Sequence, residues 1–165
     1  MLQQTLWLNA FVNFAPVKKK IIGRTDKADF PQLGFENIDV KVDTGAYTSS
    51  IHCNHIKEEG DKLSCTFLDP QHPDYNGREM TFTEYDITAV KSSNGDIQYR
   101  YVVQCDIRIF NKIHKISLTL SSREDMRFPV LLGRKFLTKK YIVDTELTDV
   151  SYNQKLHEHK DFIKE

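Results

Sequence analysis

The stretch from Ile97 to Leu120 constrains what this chain can fold into more than any other. Ile97, Tyr99, Tyr101, Val103, Cys105, Ile107 and Ile109 fall on one face of an extended chain, and Gln98, Arg100, Gln104, Asp106 and Arg108 fall on the other. Alternation with a period of two belongs to a strand with one wet face. Asn111-Lys112 supplies a turn. Ile116, Leu118 and Leu120 then alternate with Lys115, Ser117 and Thr119, as the return arm of a hairpin does.

Other strands are expected at 38–42, 62–68, 79–90 and 141–144. Ser92-Ser93-Asn94-Gly95 reads as a turn between strands, and 69–77, with two prolines and a glycine, reads as a loop. Helix is scarce. Ser121–Met126 offers one short turn and Gly133–Lys140 another. The expectation is an all-β fold, a closed barrel or sandwich with one or two short helices. At 165 residues the chain has the length of one domain. It divides into an N-terminal extension at 1–20, a β domain at 21–148 and a polar C-terminal tail at 149–165.

Lys plus Arg is 23 and Asp plus Glu is 23, so the chain lacks the global basic field of a non-specific nucleic-acid binder. No apolar run is long enough to span a membrane. The first sixteen residues, MLQQTLWLNAFVNFAP, carry no Lys or Arg and are interrupted by Gln and Asn, unlike a secretory signal. Three cysteines make an odd count, which argues against a disulfide framework. A cytoplasmic location is expected, with export the alternative if residues 1–16 act as a signal.

The segment that carries chemistry is Ile38-Asp39-Val40-Lys41-Val42-Asp43-Thr44-Gly45-Ala46. An alternating strand ends in Asp-Thr-Gly-Ala, where a carboxylate can project into a cleft. Thr44 can lock the turn through its hydroxyl, Gly45 permits a positive φ, and Ala46 leaves the site uncrowded. About ninety residues later come Pro129-Val130-Leu131-Leu132-Gly133-Arg134, then Lys135-Phe136-Leu137 and Tyr141-Ile142-Val143-Asp144.

These ordered segments resemble the retropepsin-like aspartic proteases. More closely, KVDTGAYTSSIH, VKSSNG, LTLSSREDMRFPVLLGRKFL and YIVD resemble a bacterial family labelled ATP-dependent zinc protease, from about Ile22 to Asp144. The resemblance implies a closed acid-protease barrel over 21–148. It also implies an aspartic endopeptidase, a hydrolase with Asp43, Thr44 and Gly45 as catalytic residues and no cofactor. Neither G-x-x-x-x-G-K-[ST] nor H-E-x-x-H occurs, so the words ATP and zinc find no motif here. Aspartic chemistry needs two carboxyl groups sharing a proton. Val143-Asp144-Thr145-Glu146 lacks the glycine, so the expected arrangement is a homodimer pairing Asp43 with Asp43.

Ala46, the tip Ser92, Ser93, Asn94 and Gly95, and the arginines Arg100 and Arg134 are the expected substrate contacts, with loop 69–77 the alternative flap. Arg78 and Arg123 stand beside similar motifs; together the arginines would suit an acidic peptide. The resembled family's association with glutamate-ligase enzymes points to glutamylated substrates. His52-Cys53-x-His55 is poor metal geometry, since on a strand Cys53 and His55 share a side that His52 does not. No metal ligand is assigned. Cys65 and Cys105 read as core thiols, and His157 and His159 as solvated. The expected partner is a peptide or protein substrate, with no nucleic acid and no membrane. The rival readings are a non-catalytic peptide-binding module on the same fold and a metal-dependent peptidase.

Overall fold

A computed structural model describes residues 18–91, 95–122 and 127–162. Eleven strands and two α-helices follow in order: β1 (Lys20–Ile22), β2 (Thr25–Phe30), β3 (Phe35–Val42), β4 (Ser49–Glu59), β5 (Lys62–Phe67), β6 (Glu79–Phe82), β7 (Asp86–Lys91), β8 (Ile97–Ile109), β9 (Lys112–Ser121), β10 (Val130–Leu132), α1 (Arg134–Leu137), β11 (Tyr141–Val143) and α2 (Val150–Phe162).

The order β10-β3-β2-β8-β9-β4 closes on itself because β10 also pairs with β4, giving a six-stranded barrel. Strands β5 and β6 extend beyond β4, and β7 pairs with β8 outside the ring. Closure removes the free edges that would otherwise invite aggregation. The expected all-β fold is therefore corrected to a mixed one, a closed barrel carrying two short helices.

The β8–β9 hairpin forms as expected, with Cys105 opposite Ile116 and Val103 opposite Leu118, and its turn falls at Phe110-Asn111, one residue before the expected Asn111-Lys112. Its apolar face is buried only where the hairpin belongs to the barrel. Val103, Cys105, Ile107 and Ile109 are buried, whereas Ile97 and Tyr99 are exposed on an arm shared with β7. The expected strand at 79–90 is two, β6 and β7, with a bend between. The core closes on Phe30, Phe35 and Phe67, the last packing edge-on against both Phe35 and Phe82.

Residues 149–165 read as a polar tail, yet 150–162 form α2. Few apolar contacts hold this helix; buried carboxylates do. Asp26, on β2, is 1% exposed and accepts the Ser151 and Tyr152 amides at 2.9 and 3.1 Å, capping the first turn from outside the helix. It also accepts the Lys27 amide at 2.8 Å. Burial pushes the Asp26 carboxyl above its ordinary pKa, and the three amides pull the other way. One turn on, Lys155 Nζ lies 2.9 and 2.8 Å from the two carboxylate oxygens of buried Asp29. Among the described residues no helix is long and apolar enough to cross a membrane.

Candidate functional site

The Asp-Thr-Gly-Ala turn leaves the end of β3 at the barrel rim. The Asp43 amide donates to Leu132 O at 3.0 Å, which ties the turn to β10. Its carboxylate Oδ1 accepts the amides of Gly45 and Ala46 at 3.0 and 3.1 Å, an Asx turn that fixes the loop's shape. Among the described residues no second carboxyl group shares a hydrogen bond with Asp43. Thr44 and Gly45 are exposed, and Tyr47 is 64% exposed. Gly45 does not adopt a positive φ. What its missing side chain spares is a Cβ only 3.2 Å from Asp43 Oδ1.

The loop is clamped from behind by the segment that opens α1. Arg134 Nη1 donates to Thr44 O and Gly45 O, both at 2.8 Å. The backbone amides of Arg134 and Lys135 donate to Ala46 O and Tyr47 O, both at 2.9 Å. Gly133 allows this approach, because a Cβ there would come within 2.4 Å of Thr48 O. Its amide donates to the Ser49 hydroxyl at 3.0 Å. The two motifs ninety residues apart thus form one object. Arg134, expected against substrate, directs Nη1 to the loop's own carbonyls.

Ser92, Ser93 and Asn94 fall outside the described residues, as does Arg123. Gly95, at the foot of that tip, has φ +92, and Arg100 on β8 donates to Gln98 Oε1 at 2.9 Å. Arg78 is exposed, its amide bonded to Asn76.

The His52-Cys53-x-His55 alternation is broken by a bulge between Asn54 and Lys57, where His55 takes φ +52. His52 and Cys53 are both buried and His55 is exposed. His52 Nε2 lies 2.8 Å from Asp69 Oδ2, off the angle a hydrogen bond needs, and Nδ1 has no partner among the described residues. Asn54 Nδ2 donates to Asp69 Oδ1 at 2.5 Å. Asn54 first, then His52, hold the Asp69 carboxyl below its ordinary pKa. This pin on loop 69–77 was not read from the sequence, because nothing at 52 and 69 signals contact. Among the described residues no three His, Cys, Asp or Glu side chains are grouped to hold a metal ion. The cysteines are free and buried. Contact with Cys65, then burial, pushes the Cys53 thiol up, and burial pushes Cys105 up to about 12, so neither is an activated nucleophile.

Fold and loop together define a class: a small closed β-barrel whose rim displays a carboxylate-bearing turn locked by an arginine. Within that class the chain belongs to the RimB-like family, whose model, described as retropepsin-like aspartic endopeptidase RimB, matches residues 21–154. A Shewanella halifaxensis protein described as a probable alpha-L-glutamate ligase is 38% identical over 133 residues, covering 76% of this chain and 28% of that protein. A Desulfotalea psychrophila protein of the same description is 34% identical over 137 residues, covering 79% and 29%. The chain thus spans less than a third of the length of these relatives. The crystal structure of a Legionella pneumophila protein of unknown function superposes with a TM-score of 0.64 at 26% identity, covering 81% of this chain and 99% of that one.

Two expectations are corrected by these relatives. The zinc-protease label gives way to the RimB-like family, and the curated relatives are glutamate ligases rather than zinc proteases. The aspartic endopeptidase reading is overturned by the same relatives, each described as a probable alpha-L-glutamate ligase.

Proposed function

We propose that this chain serves α-L-glutamate ligation as a peptide-holding barrel of the retropepsin-like type. It binds the glutamate-bearing chain at the rim formed by residues 43–48. The observation that carries this reading is the 38% identity, over 133 residues, with the Shewanella halifaxensis protein described as a probable alpha-L-glutamate ligase, of which the chain spans 28%. A unit that makes up a minor share of a ligase suits a substrate-holding role beside the part that joins glutamate.

The rim supports the reading. Asp43, Thr44, Gly45 and Ala46 form its turn, of which Thr44 and Gly45 are the exposed part. Lys41 and Arg134 are exposed beside it and suit an acidic ligand. The tip at 92–95 and Arg100 belong to the same proposal as outer contacts. Self-association of two copies is part of it too. Ile21 and Ile142 are register partners, 50% and 56% exposed, and form an apolar patch that a second copy can cover. Free buried thiols suit a reducing cytoplasm.

Calorimetric titration with an α-linked tetraglutamate peptide tests the reading. It predicts saturable binding that weakens with salt and is absent for tetraglutamine. Equal binding of both peptides, or of neither, would overturn it.

A further inference from the structure

Behind the 43–48 loop lies a second concavity that the rim does not use. A cavity of about 90 Å³ opens where β9 faces α1, and its lining includes Ser49, Lys115, Ser117, Lys135, Phe136 and Lys140. The lysines come from β9, from α1 and from the turn before β11. Three lysines thus line one small hollow, and their mutual repulsion eases when an anion is present.

Their existing partners leave a positive excess. Lys115 Nζ lies 2.6 Å from Asp106 Oδ1. Lys140 Nζ donates to Phe136 O at 2.8 Å and rests 5.0 Å from the Phe136 ring centroid, which orients the ammonium and leaves two protons to donate. Lys135 is exposed. His114, edge-on to Phe136, is held below its ordinary pKa by burial first and then by Lys140 and Lys112.

The second observation is Ser49. It is 2% exposed, and its hydroxyl accepts the Gly133 amide. Its own O–H has no acceptor among the described residues. A buried hydroxyl with an uncommitted proton is a donor that lacks its acceptor.

We propose that this cavity is an oxyanion subsite, in which Ser49, Lys135 and Lys140 donate to a single carboxylate or phosphate group. Choosing a side-chain carboxylate of a glutamate-bearing peptide rests on the function proposed above; the subsite itself does not. The location follows from connectivity. Ser49 ends the 43–48 loop and bonds Gly133, while Lys135 bonds Tyr47 O, so a ligand here touches the segments that clamp the rim.

The test titrates wild type, Lys135→Gln, Lys140→Gln and the double variant with tetraglutamate and, separately, with inorganic phosphate. Thermal melts confirm that each variant folds. A ¹⁵N-labelled wild-type chain maps the contact through the amides of Ser49, Lys135 and Lys140. The proposal predicts about a tenfold loss of anion affinity in the double variant, as expected for removing charge-assisted donors. If tetraglutamate binds equally to wild type and to the folded double variant, the subsite is overturned and the function proposed above survives. If phosphate alone binds, and the variants lose it, the subsite stands, and its glutamate reading falls together with the function proposed above. If neither anion shifts these amides, the subsite is overturned.

Discussion

Replacing Gly133 with alanine tests the central contact of the rim. Gly133 has φ −85 and ψ 171, which alanine adopts without strain, so only the close approach is at issue. A Cβ there would sit 2.4 Å from Thr48 O, 2.5 Å from Thr48 C and 2.9 Å from Tyr47 O. All three are backbone atoms that cannot rotate away, so the loop or α1 must move. Overpacking of this kind costs about 1–3 kcal/mol, and the smaller unfolded-state entropy of alanine returns about 0.5 kcal/mol. A net loss of about 1.5 kcal/mol lowers Tm by roughly 3–6 °C in a domain of this size. Gly45→Ala is the contrast. Its Cβ meets only Asp43 Oδ1 at 3.2 Å, so a change within about 0.5 kcal/mol is expected. Circular-dichroism melts of both variants provide the assay. Equal Tm values for Gly133→Ala and wild type would refute the argument that the glycine serves close packing of α1 on the loop.

The other predictions concern the clamp, the helix and pH. Arg134→Gln removes two exposed side-chain hydrogen bonds and keeps the backbone ones, so stability falls by about 1 kcal/mol or less. The Gly45 and Ala46 amides then exchange up to about fivefold faster, and unchanged hydrogen-exchange rates would contradict the clamp. Asp26→Ala removes the cap of α2 and leaves buried amides unpaired, for a loss of about 2 kcal/mol visible in a urea melt. An unchanged midpoint would mean α2 stands without it. The lowered Asp69 pKa contributes stability that is fully present above its ordinary value of 3.8 and lost as pH falls through the lowered folded value. Asp69→Asn removes that contribution, so its stability falls less steeply than wild type below pH about 4, as acid titration of unfolding would show. Parallel acid limbs for the two proteins would rule Asp69 out as a source of the slope.

Much of the barrel was legible because its burial is one-sided. The β8–β9 hairpin and β3 alternate, and β10 is apolar throughout, as suits a strand paired on both sides. The same pattern misled at Ile97 and Tyr99, because period two reports an apolar face and not what covers it. Strand β4 carries no such alternation. Ser49, Ser50, Ile51, His52 and Cys53 are all buried, so the polar–apolar alternation is lost where the strand lies inside the barrel wall. Helix α2 was illegible for a different reason. Its apolar stripe is weak, and it is held by Asp26 and Asp29, more than a hundred residues away. The Asp-Thr-Gly-Ala turn was found from its composition, yet the role of Gly133 depends on a backbone approach that no local pattern encodes.

Where a glutamate-bearing peptide sits on the barrel is the measurement that tests this account most directly. A ¹⁵N-labelled chain titrated with α-linked tetraglutamate should shift the Asp43–Thr48 amides progressively to saturation, with tetraglutamine leaving them in place. Shifts confined to surfaces away from the rim, or identical shifts with tetraglutamine, would contradict it.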